Sequence, residues 1–259
     1  MNRFSTIFEY ATWSTLGLSI VGLFYTPYNP MDQDFRNLAF SSASFSHWFG
    51  IDGLGRDFGS RLWRGAGNTV AMALIALSLN FIIALVLLFI EQSGPRLLRR
   101  VIPLGIGIWV AVPVLLIGLV IMVFLKPSAG TLIIAVSLGN VPLAFRQLRI
   151  LWIEQRHALY VLATEILGAG RRHLLAYTLW PNLRPDLLGL AKLILAICVL
   201  ELSGLAFLGL IGDPDFPELG AILKQNQAYL FRNPMLVAWP GLILSTLLLL
   251  VHLSKSRSY

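Results

Sequence analysis

Charge is scarce in this chain. Only 13% of its 259 residues are Asp, Glu, Lys or Arg, about half the share usual in a soluble domain, while 56% are apolar. A water-soluble globular protein is therefore excluded and a membrane protein expected. Cysteine is almost missing too. The one thiol, Cys198, lies inside an apolar run, which rules out disulfides within the chain and cysteine metal centres and points to a buried apolar role. Four histidines, His47, His157, His173 and His252, are scattered without metal-ligand spacing. Neither a serine elbow, nor a spaced nucleophile and base, nor a glycine-rich phosphate loop occurs. The chain reads as non-enzymatic, binding no cofactor or metal and hydrolysing no nucleotide itself.

What is present are long apolar runs. Six of them, near residues 8–26, 69–90, 101–125, 129–145, 187–211 and 235–253, are long enough to be read as bilayer-crossing helices. The first is interrupted by Thr12, Ser14 and Thr15 and closed by Pro27 and Pro30. Arg3 precedes it with no small-residue cleavage site after it, so it reads as a retained anchor. The third carries Pro103 and Pro113, which predict a kink. Six spans put both termini on one side. If that side is cytoplasmic it holds 13 basic residues against 7 outside, the bias that orients membrane proteins. The +7 net charge then records topology, not nucleic-acid binding. The loops 27–68 and 212–234 fall outside, and the segment 146–186 faces the cytoplasm.

That segment is unusual. Residues 158–167 read as a short helix with small Ala163 and Thr164 side by side. Gly168 and Gly170 stop it, through the positive φ that glycine takes at helix ends. Ala169 lies between them, and Arg171 is expected to begin a second helix ending before Pro181. The result is a compact knob able to enter a partner's groove, or else a plain helical connector. Within the spans the polar exceptions are Asn80 and Glu201. Glu201, in the sequence VLELSG, is expensive in lipid. Glu201 and Asn80 both read as lining a translocation path or contacting a second subunit, and the other reading of Glu201 is a hydrogen-bonded glutamate packed between helices.

Three motifs combine with this layout. Leu54, Gly55, Arg56, Asp57, Ser60 and Arg61 stand just before the second span. Ala163, Thr164 and Gly168 are followed by Pro181 and Asn182. Phe207 opens an FLGL stretch, Glu218 to Gly220 follow, and Pro240 and Gly241 come last. The chain resembles the permease subunits of bacterial ATP-binding-cassette importers of the dipeptide, oligopeptide and nickel type, specifically the second ("C"-type) permease of the pair. It departs from the family pattern at Ile51, Thr178, Ile211 and Leu219.

The resemblance implies a single all-α domain over 1–259, with six transmembrane helices in the type I importer fold, in the bacterial inner membrane. It implies a homologous permease, two ATPase subunits or domains that use ATP and magnesium, a solute-binding protein, and surrounding lipid. It gives Ala163, Thr164, Gly168, Ala169, Gly170 and Arg171 an ATPase-coupling role. Arg56, Asp57 and Arg61 are expected to form ion pairs that pin the outer loop. The competing reading is an ion-coupled transporter or channel, which calls for charged pairs or inverted repeats within the spans; none is seen.

Overall fold

The computed structural model describes residues 3–33, 39–170 and 173–253. Among them the regular structure is helical, apart from one isolated antiparallel bridge between Ile51 and Asp57. In chain order come α1 (Arg3–Val21), α2 (Phe58–Ser93), α3 (Arg96–Val110), α4 (Val114–Phe124), α5 (Ala129–Arg156) and α6 (Leu159–Ile166). A π-helical turn, Leu174–Leu179, leads into α7 (Trp180–Phe207), and α8 (Leu219–Asn226) and α9 (Met235–Leu253) complete the chain.

The long helices begin where side chains satisfy free backbone amides. Asp57 caps α2 by accepting from the Ser60 amide at 2.7 Å. Ser128 and Thr131 cap α5 reciprocally, at 3.1 and 2.8 Å. α2, α5 and α7 pack on one another as the centre of the bundle, with α4 against α5, α1 against α2 and α9, and α9 against α7 and α8. Their seam is largely apolar: Val70, Ala73 and Ala76 from α2, Leu132, Val136 and Ala144 from α5, and Ile194, Leu195, Cys198 and Leu202 from α7 belong to one buried cluster. Cys198 is fully buried there, as expected.

Phe58–Ser93, Ala129–Arg156 and Ala176–Phe207 are each long and apolar enough to cross a bilayer. The expected third span differs. Pro103 is carried inside α3, but at Pro113 the chain breaks, and α3 and α4 meet at 90°. Pro113 has no amide hydrogen and disfavours a helical Val112. Local turns satisfy the freed groups, with the Val112 amide bonding Trp109 O and the Leu116 amide bonding Pro113 O. The pair counts as a fourth span only if both halves are one crossing. The helix after the 158–170 segment also differs from expectation. It does not end before Pro181: the π-turn runs directly into α7, and Pro181 falls in its first turn, where no amide is needed. The fifth span is thereby longer at its start and stops at Phe207 rather than at residue 211.

Close approach depends on absent side chains. A Cβ on Gly139 would lie 2.3 Å from Val114 Cγ1, so the first turn of α4 seats directly on the α5 backbone. Gly139→Val should overpack this seam and cost about 1–3 kcal/mol, read as a lower thermal midpoint of the purified protein. Gly105→Ala, where a Cβ meets nothing within 4 Å, should leave it unchanged or higher; equal effects from the two would refute the packing account.

Candidate functional site

Residues 52–57 form a tight turn around one carboxylate. Asp52 Oδ1 accepts the amides of Leu54 (2.9 Å) and Arg56 (3.0 Å), and Gly55 takes φ +78° to close the loop. Asp52 Oδ2 accepts from Arg56 Nε at 2.8 Å and lies 3.6 Å from Arg61 Nε. Both guanidiniums are buried, and they reach far along the chain. Arg56 donates to Asp215 Oδ1 (2.6 Å) and Gln225 Oε1 (3.1 Å). Arg61 donates to the same Gln225 oxygen (2.8 Å) and to the Pro30 carbonyl (2.9 Å). Segments separated by more than 150 residues are clasped across one end of the bundle.

The expected ion pairs therefore exist with different partners. The arginines pair with Asp52 and Asp215, not with Asp57, which caps α2 and holds His47 Nδ1 at 2.8 Å. Asp57 is spent because its position at the helix start gives it the amides there. Leu54 is exposed, and among the described residues the Arg61 Nε has no hydrogen-bond acceptor.

Glu218, fully buried, completes this end. It caps α8 through the Ala221 amide (3.0 Å) and accepts from Thr69 of α2 (2.9 Å) and Ser203 of α7 (2.7 Å). Burial pushes its carboxyl up from the usual range, and those hydrogen bonds pull the other way. Gly220 allows the contact, since a Cβ there would lie 2.0 Å from Ser203 O. Sequence reasoning misses Asp52, Asp215 and Gln225 altogether and meets Glu218 only as one letter of a motif. That motif is a signal, but which residues it faces depends on tertiary placement.

Within the bundle a polar chain crosses α5. Asn80 Nδ2 donates to Ser137 O (3.1 Å), and Ser137 Oγ donates to Ala76 O (3.2 Å). One turn on, Asn140 donates to Val136 O and to Glu201 Oε2. Asn80 is fully buried, and its Oδ1 has no partner among the described residues. Glu201, partly exposed, lies six residues before the end of α7, not at its middle, because the helix both starts and ends earlier than expected. Asn80 and Glu201 are thus joined only through α5.

At the opposite end, α6 closes with paired hydrogen bonds: the Gly168 amide to Glu165 O (2.9 Å) and the Ala169 amide to Thr164 O (3.2 Å), with Gly168 at φ +78°. Ala163 and Thr164 lie in its last turn, and Leu159, Ile166 and Leu167 are each more than 80% exposed. A Cβ at Gly168 or Gly170 would meet nothing within 4 Å. Arg171 lies outside the described residues. Nearby, Arg149 of α5 holds the buried Glu91 of α2 at 2.7 Å.

Arg56→Met removes the donor to Asp52 Oδ2 and Asp215 and one of the two donors to Gln225, and should cost about 3–5 kcal/mol, seen as a lower thermal midpoint and faster proteolysis within residues 212–234. Leu54→Ser should change neither. An Arg56→Met protein as stable as the parent would contradict the clasp.

Comparison with known proteins fits this arrangement. Among curated relatives, the dipeptide transport system permease protein DppC of Haemophilus influenzae is 27% identical, covering 91% of this chain and 82% of that one. The di/tripeptide permease protein DppC of Pseudomonas aeruginosa is 29% identical over 88% and 77%, and the nickel transport system permease protein NikC of Escherichia coli is 28% identical over 88% and 82%. An inward-facing structure of the MetNI methionine ABC transporter shares the fold with a TM-score of 0.60 at 21% identity, covering 74% of this chain and 91% of that chain. Residues 93–255 match the family described as "Binding-protein-dependent transport system inner membrane component". The chain belongs to that family of multi-pass ATP-binding-cassette importer permeases, whose members are non-catalytic membrane subunits.

Proposed function

We propose that this permease forms half of a peptide-translocating path and that residues 158–170 transmit ATP-driven closure to it. The observation that carries this reading is α6: a two-turn helix with a glycine-terminated end and bare apolar side chains, set between two membrane-crossing helices, α5 and α7. Its exposed Leu159, Ile166 and Leu167 fit an apolar cleft on an ATPase, and small Ala163 permits close seating. Gly170 and Arg171 follow as the exit from the cleft. Movement of α6 passes to α7 through the π-turn and to α5 at His157, so a docked helix levers both long spans as rigid bodies.

In this reading the whole chain, 1–259, is one domain with six crossings. α1, the α3–α4 pair and α9 supply the three that complement α2, α5 and α7. Both termini lie in the cytoplasm of a bacterial cell with α6, and the clasp of Asp52, Arg56 and Arg61 faces out. The companions are a homologous permease, two ATPases using ATP and magnesium, a solute-binding protein and lipid. Peptides are the favoured cargo because the curated relatives include dipeptide and di/tripeptide permeases; the nickel relative marks the alternative. Glu201 lines the path at the edge of the exposed strip of α7, and Asn80 braces α2 against α5 behind it.

Gly168→Val places a β-branched residue at φ +78°, costing about 1–3 kcal/mol locally and unwinding the end of α6. ATP-dependent dipeptide uptake by the reconstituted complex should fall at least tenfold, while membrane insertion and thermal midpoint hold. Normal uptake by the variant would remove the coupling role, and uptake abolished by ionophores without ATP would overturn the importer reading itself.

A further inference from the structure

Residues 44–50 fold into a turn that is closed from within. The Ser44 amide donates to His47 O (2.9 Å), the His47 amide to Ser44 Oγ (3.1 Å) and the Gly50 amide to His47 O (2.9 Å). Gly50, at φ +77°, brings the chain back so closely that a Cβ there would lie 2.5 Å from Ser41 O. The imidazole of His47 is buried, with Nδ1 2.8 Å from Asp57 Oδ1, which ties the turn to the start of α2. Phe45 and Trp48 are left outside: the first is fully exposed and the second 78% exposed. Trp48 Nε1 donates to Phe45 O at 3.0 Å, so the indole can leave water without an unpaired N–H. No Asp, Glu, Lys or Arg occurs from residue 39 to 51. The turn thus presents aromatic rings and hydroxyls, with no charge.

The helix it leans on decides what those rings face. Phe49 packs edge-on against Trp239 of α9, with ring centroids 5.0 Å apart at 86°. Trp239 is four residues into α9, about 6 Å along its axis. Met235, Trp239, Leu242 and Leu249 recur at helical spacing and are all exposed, so they make one apolar face of α9, with the turn seated at its first residues. Phe231, almost fully exposed, precedes the same helix, and exposed Phe24 and Tyr25 follow α1, which packs against α9. Aromatic rings gathered at one end of apolar helices mark the headgroup level of a bilayer. Resting on the reading of α9 as a membrane crossing, we infer that the 44–49 turn is an interfacial anchor, with Phe45 and Trp48 set among the lipid headgroups of the outer leaflet. The segment is then no free appendage above the membrane. Through His47 and Asp57 the anchor holds the start of α2, and the arginine clasp with it, at a fixed depth while α6 moves at the other end.

The test uses the assembled complex in phosphatidylcholine nanodiscs. In a Cys198→Ala background, Phe45→Cys, which leaves the Trp48 bond to the backbone in place, carries a bimane probe. So, in a separate protein, does Leu242→Cys, about 10 Å into α9. Emission is quenched by phosphatidylcholine spin-labelled on the headgroup, by the same lipid labelled near the acyl-chain end, or by aqueous iodide. At Phe45→Cys the headgroup label should quench about fivefold more than the acyl-chain label, and also more than iodide. Quenching mainly by iodide would place the turn in water, and protection from all three would place it under protein; either result overturns the inference. Leu242→Cys reports on the underlying reading. Quenching there by the acyl-chain label, with Phe45→Cys reached only by iodide, sinks the anchor alone, whereas iodide quenching at Leu242→Cys sinks α9 as a crossing.

Discussion

Two buried guanidiniums hold the loop end of this protein together. Arg56 and Arg61 stand side by side at the start of α2, and like charges at that range repel unless acidic and carbonyl groups surround them. Asp52 lies between them, Asp215 and Gln225 close from the far side, and the Pro30 carbonyl completes the set. Since a buried charge without its partner is costly, the 27–33 segment, the 52–57 turn and the 212–226 region keep one relative position. The N-terminal and C-terminal halves of the chain meet there through these polar side chains as well as through the apolar core that Phe58, Leu62, Leu219 and Ile222 share.

The clasp has consequences further down. Glu218 follows Asp215 closely in the chain, and its carboxylate binds Thr69 of α2 and Ser203 of α7 together. The loop that crosses above the bundle thereby also spaces its two central helices. The α6 end is built on the opposite principle. α6 makes its own backbone hydrogen bonds, buries Val161 but leaves Leu159, Ile166 and Leu167 uncovered, and has open space around Gly168 and Gly170 among the described residues. One end is closed upon itself, and the other leaves Leu159, Ile166 and Leu167 exposed.

Local chemistry makes part of this legible in the sequence. The apolar runs locate α2, α5 and α9, and the glycine after a small-residue helix locates the end of α6, since φ +78° at Gly168 is a local demand. Proline is the less reliable guide. Pro113 breaks its span outright where a kink is expected, yet Pro181 sits harmlessly in a first turn, because the cost of a missing amide depends on which carbonyl would have needed it. The partners of Arg56 and Arg61 are not legible. Asp57 is the nearest acid in sequence, but its helix-capping geometry removes it, and Asp215 and Gln225 are adjacent only after folding. Glu201 likewise looks central only while α7 is taken to start too late.

The central claim is that α6 is the contact through which ATP hydrolysis elsewhere drives this chain. The lone cysteine, Cys198, is fully buried, so replacing it with alanine gives a cysteine-free background. In that background Ala163→Cys introduces a single thiol on α6, which can be crosslinked in membranes that also hold the companion ATPases. The account predicts a crosslink to an ATPase subunit that requires the introduced thiol and changes in yield when ATP is added. Efficient ATP-driven uptake with no such crosslink, from this variant or from Thr164→Cys beside it, would contradict the account.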